Sequence, residues 1–372
     1  MYSFSKGDNL PRFMTILIGI ILFAGLAAAP LSAQNVTYTI ESVIQANFPV
    51  ALAFAPDGRL FYTEKHNGAI RVVSPDGVLQ DEPVLQLPTS GLLERGMIGI
   101  AFDPDYETNQ YMWVFHTARG SDTTYPANNV VRFREVDGLG IEPMVMLSVP
   151  VTNDSAIHNG GNLRFDEQGF LIVSLGDYND PANAQNLDVP QGKLLRFEVS
   201  GDELLPAPDN PFPDNSTYAY GLRNPFDFAF DPISGQVFLT ENGPECDDEI
   251  NRVVPGKNYG WRPDYQCVGT DMLDLEDYVP PLLSFNPSQA PTGITFYNHE
   301  AIPEWNGDLF YCTFLGGVLH RVVLNEARDA IVQVEDLDMQ GSDCRIDVEV
   351  GPDGAIYFTS PNEIFRLRPA GE

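Results

Sequence analysis

ALAFAPDGRLFYTE, residues 51–64, is an apolar strand, a Pro-Asp-Gly turn and a second apolar strand that ends in Thr. The same phrase returns as GIAFDPDYETNQYMWVFHT from Gly99, NLRFDEQGFLIVSLGD from Asn162 and FAFDPISGQVFLTENG from Phe228. Two further copies are GITFYNHEAIPEWNGDLFYCT from Gly293 and VEVGPDGAIYFTS from Val348. Apolar runs of about five to seven residues around Asp, Gly and Pro turns read as hairpins. Several continue into a third strand, as in AIRVV, KLLRFEV and VLHRVVL, and no long helical period intervenes. Hairpins recurring at blade-like spacing predict an all-β, six-bladed β-propeller. The last copy stops after its third strand, EIFRLRP, whereas a spare strand, TYTIESV from Thr37, precedes the first. The N-terminal strand is therefore expected to complete the last blade and close the ring, which removes exposed sheet edges. A two-sheet sandwich would not explain a repeated phrase.

In a propeller, the starts of the inner strands and the connecting loops gather on one face around a channel, so chemistry is sought between the repeats. The longest irregular stretches are 119–129, 178–190, 201–220 and 242–290. Within the last, ENGPECDDEINRVVPGKNYGW (residues 241–261) joins a Gly-Pro turn to three consecutive acids. Hard cations such as calcium take carboxylate and backbone carbonyl oxygens from irregular loops. Gly243-Pro244 and Asp247-Asp248-Glu249 offer both kinds.

His158 opens the third repeat as IHNGGNLRF, and Asp177 ends its second strand, so a hairpin returns the two to one end of the blade. A carboxylate beside an imidazole sets its tautomer and raises its basicity, as a general base requires. Arg223-Asn224-Pro225 stands at the equivalent start of the fourth repeat, where an Arg facing the channel would stabilise negative charge. His66, His116, His299 and His320 lie in strands or turns without evident partners and are read as structural.

Lys6 and Arg12 precede an apolar run from Phe13 to Ala29, followed by Pro30 and Ser32-Ala33. Residues 1–33 have the form of a secretory signal, too short for a span, which leaves 34–372 as a single exported domain without stable membrane insertion. With 52 Asp plus Glu against 21 Lys plus Arg, the net charge of −31 repels nucleic acid. An oxidising compartment favours disulfides among Cys246, Cys267, Cys312 and Cys344, and no Cys-x-x-Cys spacing suggests a metal site. Three pairings are possible. Cys246 and Cys267 bracket the acidic loop, so 246–267 with 312–344 is the expected one.

His158-Asn159-Gly160-Gly161, Gly176-Asp177, AQNLDVPQGKLLRF from Ala184, YGLRNP from Tyr220, and ENGPECDDEIN with NYGW, taken in order, resemble the soluble quinoprotein glucose/sorbosone dehydrogenases. The similarity is closest to their aldose sugar dehydrogenase branch and covers nearly the whole mature chain. It implies a secreted or periplasmic propeller that binds pyrroloquinoline quinone and calcium, oxidises the anomeric hydroxyl of a sugar to a lactone and passes electrons to an external acceptor. By this resemblance, His158 is the base, Asp177 its orienting carboxylate, and Arg223 with Asn224 the groups beside the quinone. The carbonyls of Gly243 and Pro244 would hold a catalytic calcium, and Glu249 with the Tyr259 carbonyl a structural one.

The chain also departs from the family pattern. Glu94 stands at the family's cofactor-binding glutamine, Leu315 near its fifth-blade lysine, and Cys344 and Ile346 near its sixth-blade arginines. Arg345 is one residue out of phase, and such a slip turns a strand side chain to the other face. The quinone carries three carboxylates, and each lost charge-assisted contact is worth roughly 1.5–3 kcal/mol. Arg95, Arg119 and Arg345 are candidates to substitute, and Glu94, Arg95 and Arg345 join His158, Arg223 and Asn224 as expected cofactor contacts. Two alternatives accompany the dehydrogenase: a non-catalytic propeller that binds a glycan or protein, and a calcium-dependent lactonase. The lactonase would need Asn, Asp and Glu side chains converging on the channel, whereas this chain suggests carbonyl ligands in an outer loop.

Overall fold

Each copy of the repeated phrase forms the first two strands of a separate antiparallel sheet, and the sheets number six. The computed structural model describes residues 1–3, 36–121, 123–153 and 155–371, so the expected export signal falls almost wholly outside the described residues. Blade 1 consists of strands Pro49–Phe54, Leu60–Glu64, Ala69–Val73 and Leu85–Gln86. Blade 2 consists of Met97–Phe102, Tyr111–Ala118, Ala127–Val136 and Leu139–Pro150. Blades 3, 4 and 5 start at Gly160–Phe165, Pro225–Phe230 and Pro291–Phe296, and blade 6 at Val348–Val350. The N-terminal strand, Tyr38–Gln45, pairs antiparallel with Glu363–Pro369 as the outer strand of blade 6, with Ile40 opposite Leu367. The first and last of the described strands thus share one sheet, and the ring closes as the sequence predicts.

Strands such as Leu60–Glu64, Leu171–Leu175 and Val237–Glu241 are buried along their whole length because each blade has a neighbour on both faces. Their apolar side chains collect in clusters between blades. Phe61 and Ile70 of blade 1 meet Met97 and Phe133 of blade 2. Trp113 and Phe115 meet Leu163 and Val173 across the next interface, and Ile172 and Leu194 meet Phe228 and Leu239 across the one after. Tyr357 and Ile364 of blade 6 pack on Leu52 and Tyr62 of blade 1. Each fully buried side chain of this size contributes about 1.5–3 kcal/mol, so stability is distributed around the circle.

Two stretches that look irregular in sequence carry strands. Within 201–220, Glu203–Pro206 and Thr217–Tyr220 both pair with Lys193–Ser200, one at each end. Within 242–290, Asp248–Val253 and Leu283–Phe285 are the third and fourth strands of blade 4. The acids that open Asp248–Val253 hide its strand character. Among the described residues, helices are limited to short pieces at Tyr106–Asn109, Pro181–Gln185 and Pro303–Trp305. Among the described residues no helix is long and apolar enough to cross a membrane.

Candidate active site

His158 precedes the inner strand of blade 3 with a left-handed backbone, φ 57°, which is rare for a residue with a side chain. Such strain marks positions that the surrounding structure holds in place. Gly176, at the return of the hairpin, lies so close to the His158 carbonyl that a Cβ there would overlap it. The close approach brings His158 Nδ1 within 2.7 Å of Asp177 Oδ1. Asp177 is fully buried, and Asn179 N donates to its Oδ1 while Trp261 Nε1 donates to its Oδ2, each at 2.7 Å. An ionised carboxylate only accepts, so the His158 proton belongs on Nδ1 and Nε2 is left as the basic atom.

The starts of three blades are tied together around this pair. Glu94, ahead of blade 2, accepts from His158 N at 2.5 Å and from Asn224 Nδ2 at 3.4 Å. Asn224 Oδ1 in turn accepts from Gly160 N at 3.1 Å. Arg223 donates to the Asn242 carbonyl at 2.7 Å, and its guanidinium lies 5.4 Å from the centre of the Trp261 ring. Burial lowers the Arg223 pKa from its ordinary value, an effect that nearby Glu241 and Asp177 oppose.

Gly243, Pro244, Glu249 and Tyr259 all line one small cavity of about 10 Å³, so the residues expected at two ion sites come together in one place. Gly243 is packed against the Cys246 and Asp247 carbonyls and has no room for a side chain. Of the three consecutive acids, two are committed to shaping the loop. Asp248 accepts from Gly243 N at 2.8 Å and from Gln289 N and Ala290 N at 2.6 Å. Asp247 accepts from Val268 N at 2.6 Å, Tyr265 Oη at 2.9 Å and Ser284 Oγ at 3.0 Å. Glu249 is the acid of the triplet left for an ion, and Glu241, which the sequence reading passed over, is the second carboxylate. Burial pushes Glu241 up to about 8, and its Oε2 is buried without a hydrogen-bond partner among the described residues. Burial likewise raises Glu249 well above the usual range, with Asn251 opposing and Glu241, Asp247 and Asp248 adding repulsion. Glu241 and Glu249, with Asp247 and Arg223 in the same wall, lie beside carbonyl-rich turns and offer the oxygen donors that a hard cation takes. Cys246 and Cys267 are bonded across this loop, and Cys312 is bonded to Cys344, the expected pairing.

A second cavity of about 240 Å³ is lined by Asn159 and Gly160, which follow His158, but not by His158, Asp177 or Arg223 themselves. Phe48, Val50, Phe226, Phe314 and Ile346 give it apolar walls, and Lys65, Glu94, Asn159, Asn224 and Asn242 add polar groups. Arg95 and Arg345 do not line it. Arg95 donates to the Ser155 carbonyl, while Arg345 pairs with Asp343 at 3.1 Å and donates to the Phe314 carbonyl at 2.6 Å. Local hydrogen bonds thus turn both guanidinium groups aside.

Two readings of the sequence need correction. Side chains do converge on the channel: Asp227 Oδ2 accepts from Ile294 N at 2.9 Å, and Asp347 Oδ2 from Leu52 N at 2.7 Å. Arg164 lies between Asp227 at 3.4 Å and Glu349 at 2.5 Å. These acids brace neighbouring inner strands and neutralise an Arg, a use invisible before the ring is closed. The histidines read as lacking partners also have them. His116 Nδ1 is 3.0 Å from Thr89 Oγ1, and His320 bridges Asp336 at 2.8 Å and Thr313 at 3.3 Å against the Tyr311 ring. Trp261, Glu241 and Lys65 are the site residues that sequence reasoning missed. The signal for Glu241 was an acid closing the strand Val237–Glu241, two residues before Gly-Pro.

The profile of the glucose/sorbosone dehydrogenase family matches residues 46–367. Aldose sugar dehydrogenase YliI of Escherichia coli is 29% identical over 386 aligned residues, covering 94% of this chain and 96% of that protein. The crystal structure of the soluble aldose sugar dehydrogenase from Escherichia coli in its apo-form superposes with a TM-score of 0.77 at 26% identity, covering 90% of this chain and all of that one. A glucose dehydrogenase crystal structure gives 0.79 at 27% identity, with 90% and 100% covered. The chain belongs to the glucose/sorbosone dehydrogenase family.

Proposed function

We propose that the protein is an exported aldose dehydrogenase that uses calcium and pyrroloquinoline quinone to oxidise the anomeric hydroxyl of a sugar to the lactone. The observation that carries this reading is the His158–Asp177 pair at 2.7 Å, held from its far side by Trp261. Calcium fits the cradle because Glu241 Oε2 is orphaned and the three carboxylates of Glu241, Asp247 and Glu249 share a wall with one cation, Arg223. The quinone fits the larger cavity, where apolar side chains suit a flat ring and the amides of Asn159, Asn224 and Asn242 offer hydrogen bonds at its edge. When bound, the quinone supplies a two-electron sink for the anomeric hydride, and the calcium supplies a Lewis acid.

The chain's own residues do the remainder. His158 takes the anomeric hydroxyl proton on Nε2 as the carbon–oxygen double bond forms. Asp177 stabilises the resulting imidazolium and fixes its orientation, and Arg223 supplies positive charge beside the dyad. Glu94 and Asn224 hold the backbone that carries the base. An external acceptor removes the electrons, and the two disulfides agree with an oxidising, extracytoplasmic location. Reconstitution with calcium and quinone, followed by dye-linked oxidation of an aldose panel, tests this function. Activity should be present in the wild type and fall at least a hundredfold in His158→Ala. An inactive wild type that also fails to bind the quinone by calorimetry sinks the proposal.

A further inference from the structure

Lys65 follows the second strand of blade 1 and is 8% exposed, with its side chain in the wall of the larger cavity. Its ammonium donates to the Leu93 carbonyl at 2.5 Å and lies 5.1 Å from the centre of the Phe48 ring. An ammonium has three donors, and Leu93 O is the only hydrogen-bond acceptor it meets among the described residues. No carboxylate among them pairs with it; Glu94 raises its pKa only at longer range, against a larger lowering by burial. Burying a cation without a counter-charge is costly unless a partner arrives. Room for Lys65 is made deliberately, since a Cβ on Gly96 would lie 2.5 Å from the Lys65 Cγ.

The other cations around the mouth are directed elsewhere. Arg95 turns to Ser155, Arg223 to Asn242 and Arg345 to Asp343 and Phe314. From blades 5 and 6 the cavity is lined by Ala290, Thr292, Phe314 and Ile346, none of them charged, and the Thr292 hydroxyl is spent on the Arg345 carbonyl. We propose that Lys65 is the anion anchor of this cavity and receives a carboxylate of the bound cofactor from blade 1. The inference rests on the quinone reading above and adds where its negative charge is held. A carboxylate reaching the two free donors would give the buried ammonium its counter-charge, and the Leu93 bond holds the side chain ready for it.

The test is calorimetric titration of the calcium-loaded full chain with pyrroloquinoline quinone and, separately, with its trimethyl ester, which has the same ring without the charges. Lys65→Gln should weaken binding of the acid tenfold or more and leave the ester within about twofold, and Lys65→Met should do the same. Thermal melts establish that both variants are folded. Unchanged affinity for the acid overturns the inference, because the anion then sits elsewhere. Equal weakening of acid and ester also overturns it, since Lys65 then acts only by holding the Leu93 loop. A wild type that binds neither form removes the quinone reading itself, and the anchor with it, so the two failures are distinguishable.

Discussion

Trp261 Nε1 donates to Asp177 Oδ2 at 2.7 Å across 84 residues of sequence, joining the blade 4 loop to the blade 3 dyad. The indole also lies under the Arg223 guanidinium, so one side chain touches both the Asp177 carboxylate and the Arg223 cation. Trp261→Phe keeps the ring and removes the donor. A lost hydrogen bond to a charged group costs about 1.5–3 kcal/mol, which predicts a fall in kcat of roughly 10- to 150-fold. The split between kcat and KM checks the mechanism: kcat should fall with KM little changed, because Asp177 loses one of the donors that fix its geometry. Full kcat in the variant would show that the indole only fills space.

Glu249→Gln should reduce calcium affinity by about tenfold or more, since it removes one of the three buried carboxylates that line a cavity of about 10 Å³. Chelator competition measures the affinity directly. The rise in unfolding temperature that calcium gives the wild type should shrink in the variant by mass action. Equal calcium affinity in the two proteins would place the ion elsewhere.

The Cys246–Cys267 bond closes a segment with a sequence separation of 21. The double variant Cys246→Ala/Cys267→Ala should lose about 3 kcal/mol of stability in the chain-entropy account of cross-links. Denaturant unfolding measures the loss. Cys312–Cys344 bridges blade 5 to the segment ahead of blade 6, and its removal should be of similar size but leave calcium affinity intact.

His116 gives a stability prediction with a defined sign. Burial pushes its pKa down to about 4, below the unfolded value near 6.5. Between these values the unfolded chain binds a proton that the folded ring does not. The contribution of neutral His116 is therefore full above about pH 6.5 and is lost as pH falls towards 4, by at most about 3 kcal/mol. The urea midpoint should drop less between pH 7 and 4.5 in His116→Gln, which can retain the Thr89 contact and does not titrate in this range. Identical drops would assign the acid sensitivity to other groups.

The blade repeat was legible because each hairpin is a local event: alternating or continuous apolar runs around Asp-Gly turns decide strand and turn within about a dozen residues. Blade 4 shows where that legibility ends. Its third strand begins with Asp248 and Glu249, acids that look like loop residues until Glu249 pairs with Glu241 and Asp248 with Phe285. The His158–Asp177 pair was legible for the same local reason, since one hairpin of 19 residues' separation brings its ends together.

By itself, the sequence determined the all-β repeat, the closing N-terminal strand and the dyad, because these depend on periodicity and on contacts between chain neighbours or matching ends. Only the tertiary structure decided that Trp261 bonds to Asp177, that Glu241 joins Glu249, that Asp247 and Asp248 tie the loop, and that Lys65 faces a cavity with no carboxylate paired to it among the described residues. The physical reason is that a propeller places the starts of all its blades around one channel. Residues far apart in the chain become neighbours there, and what a charged side chain does is set by whichever donors, acids and carbonyls the ring brings against it.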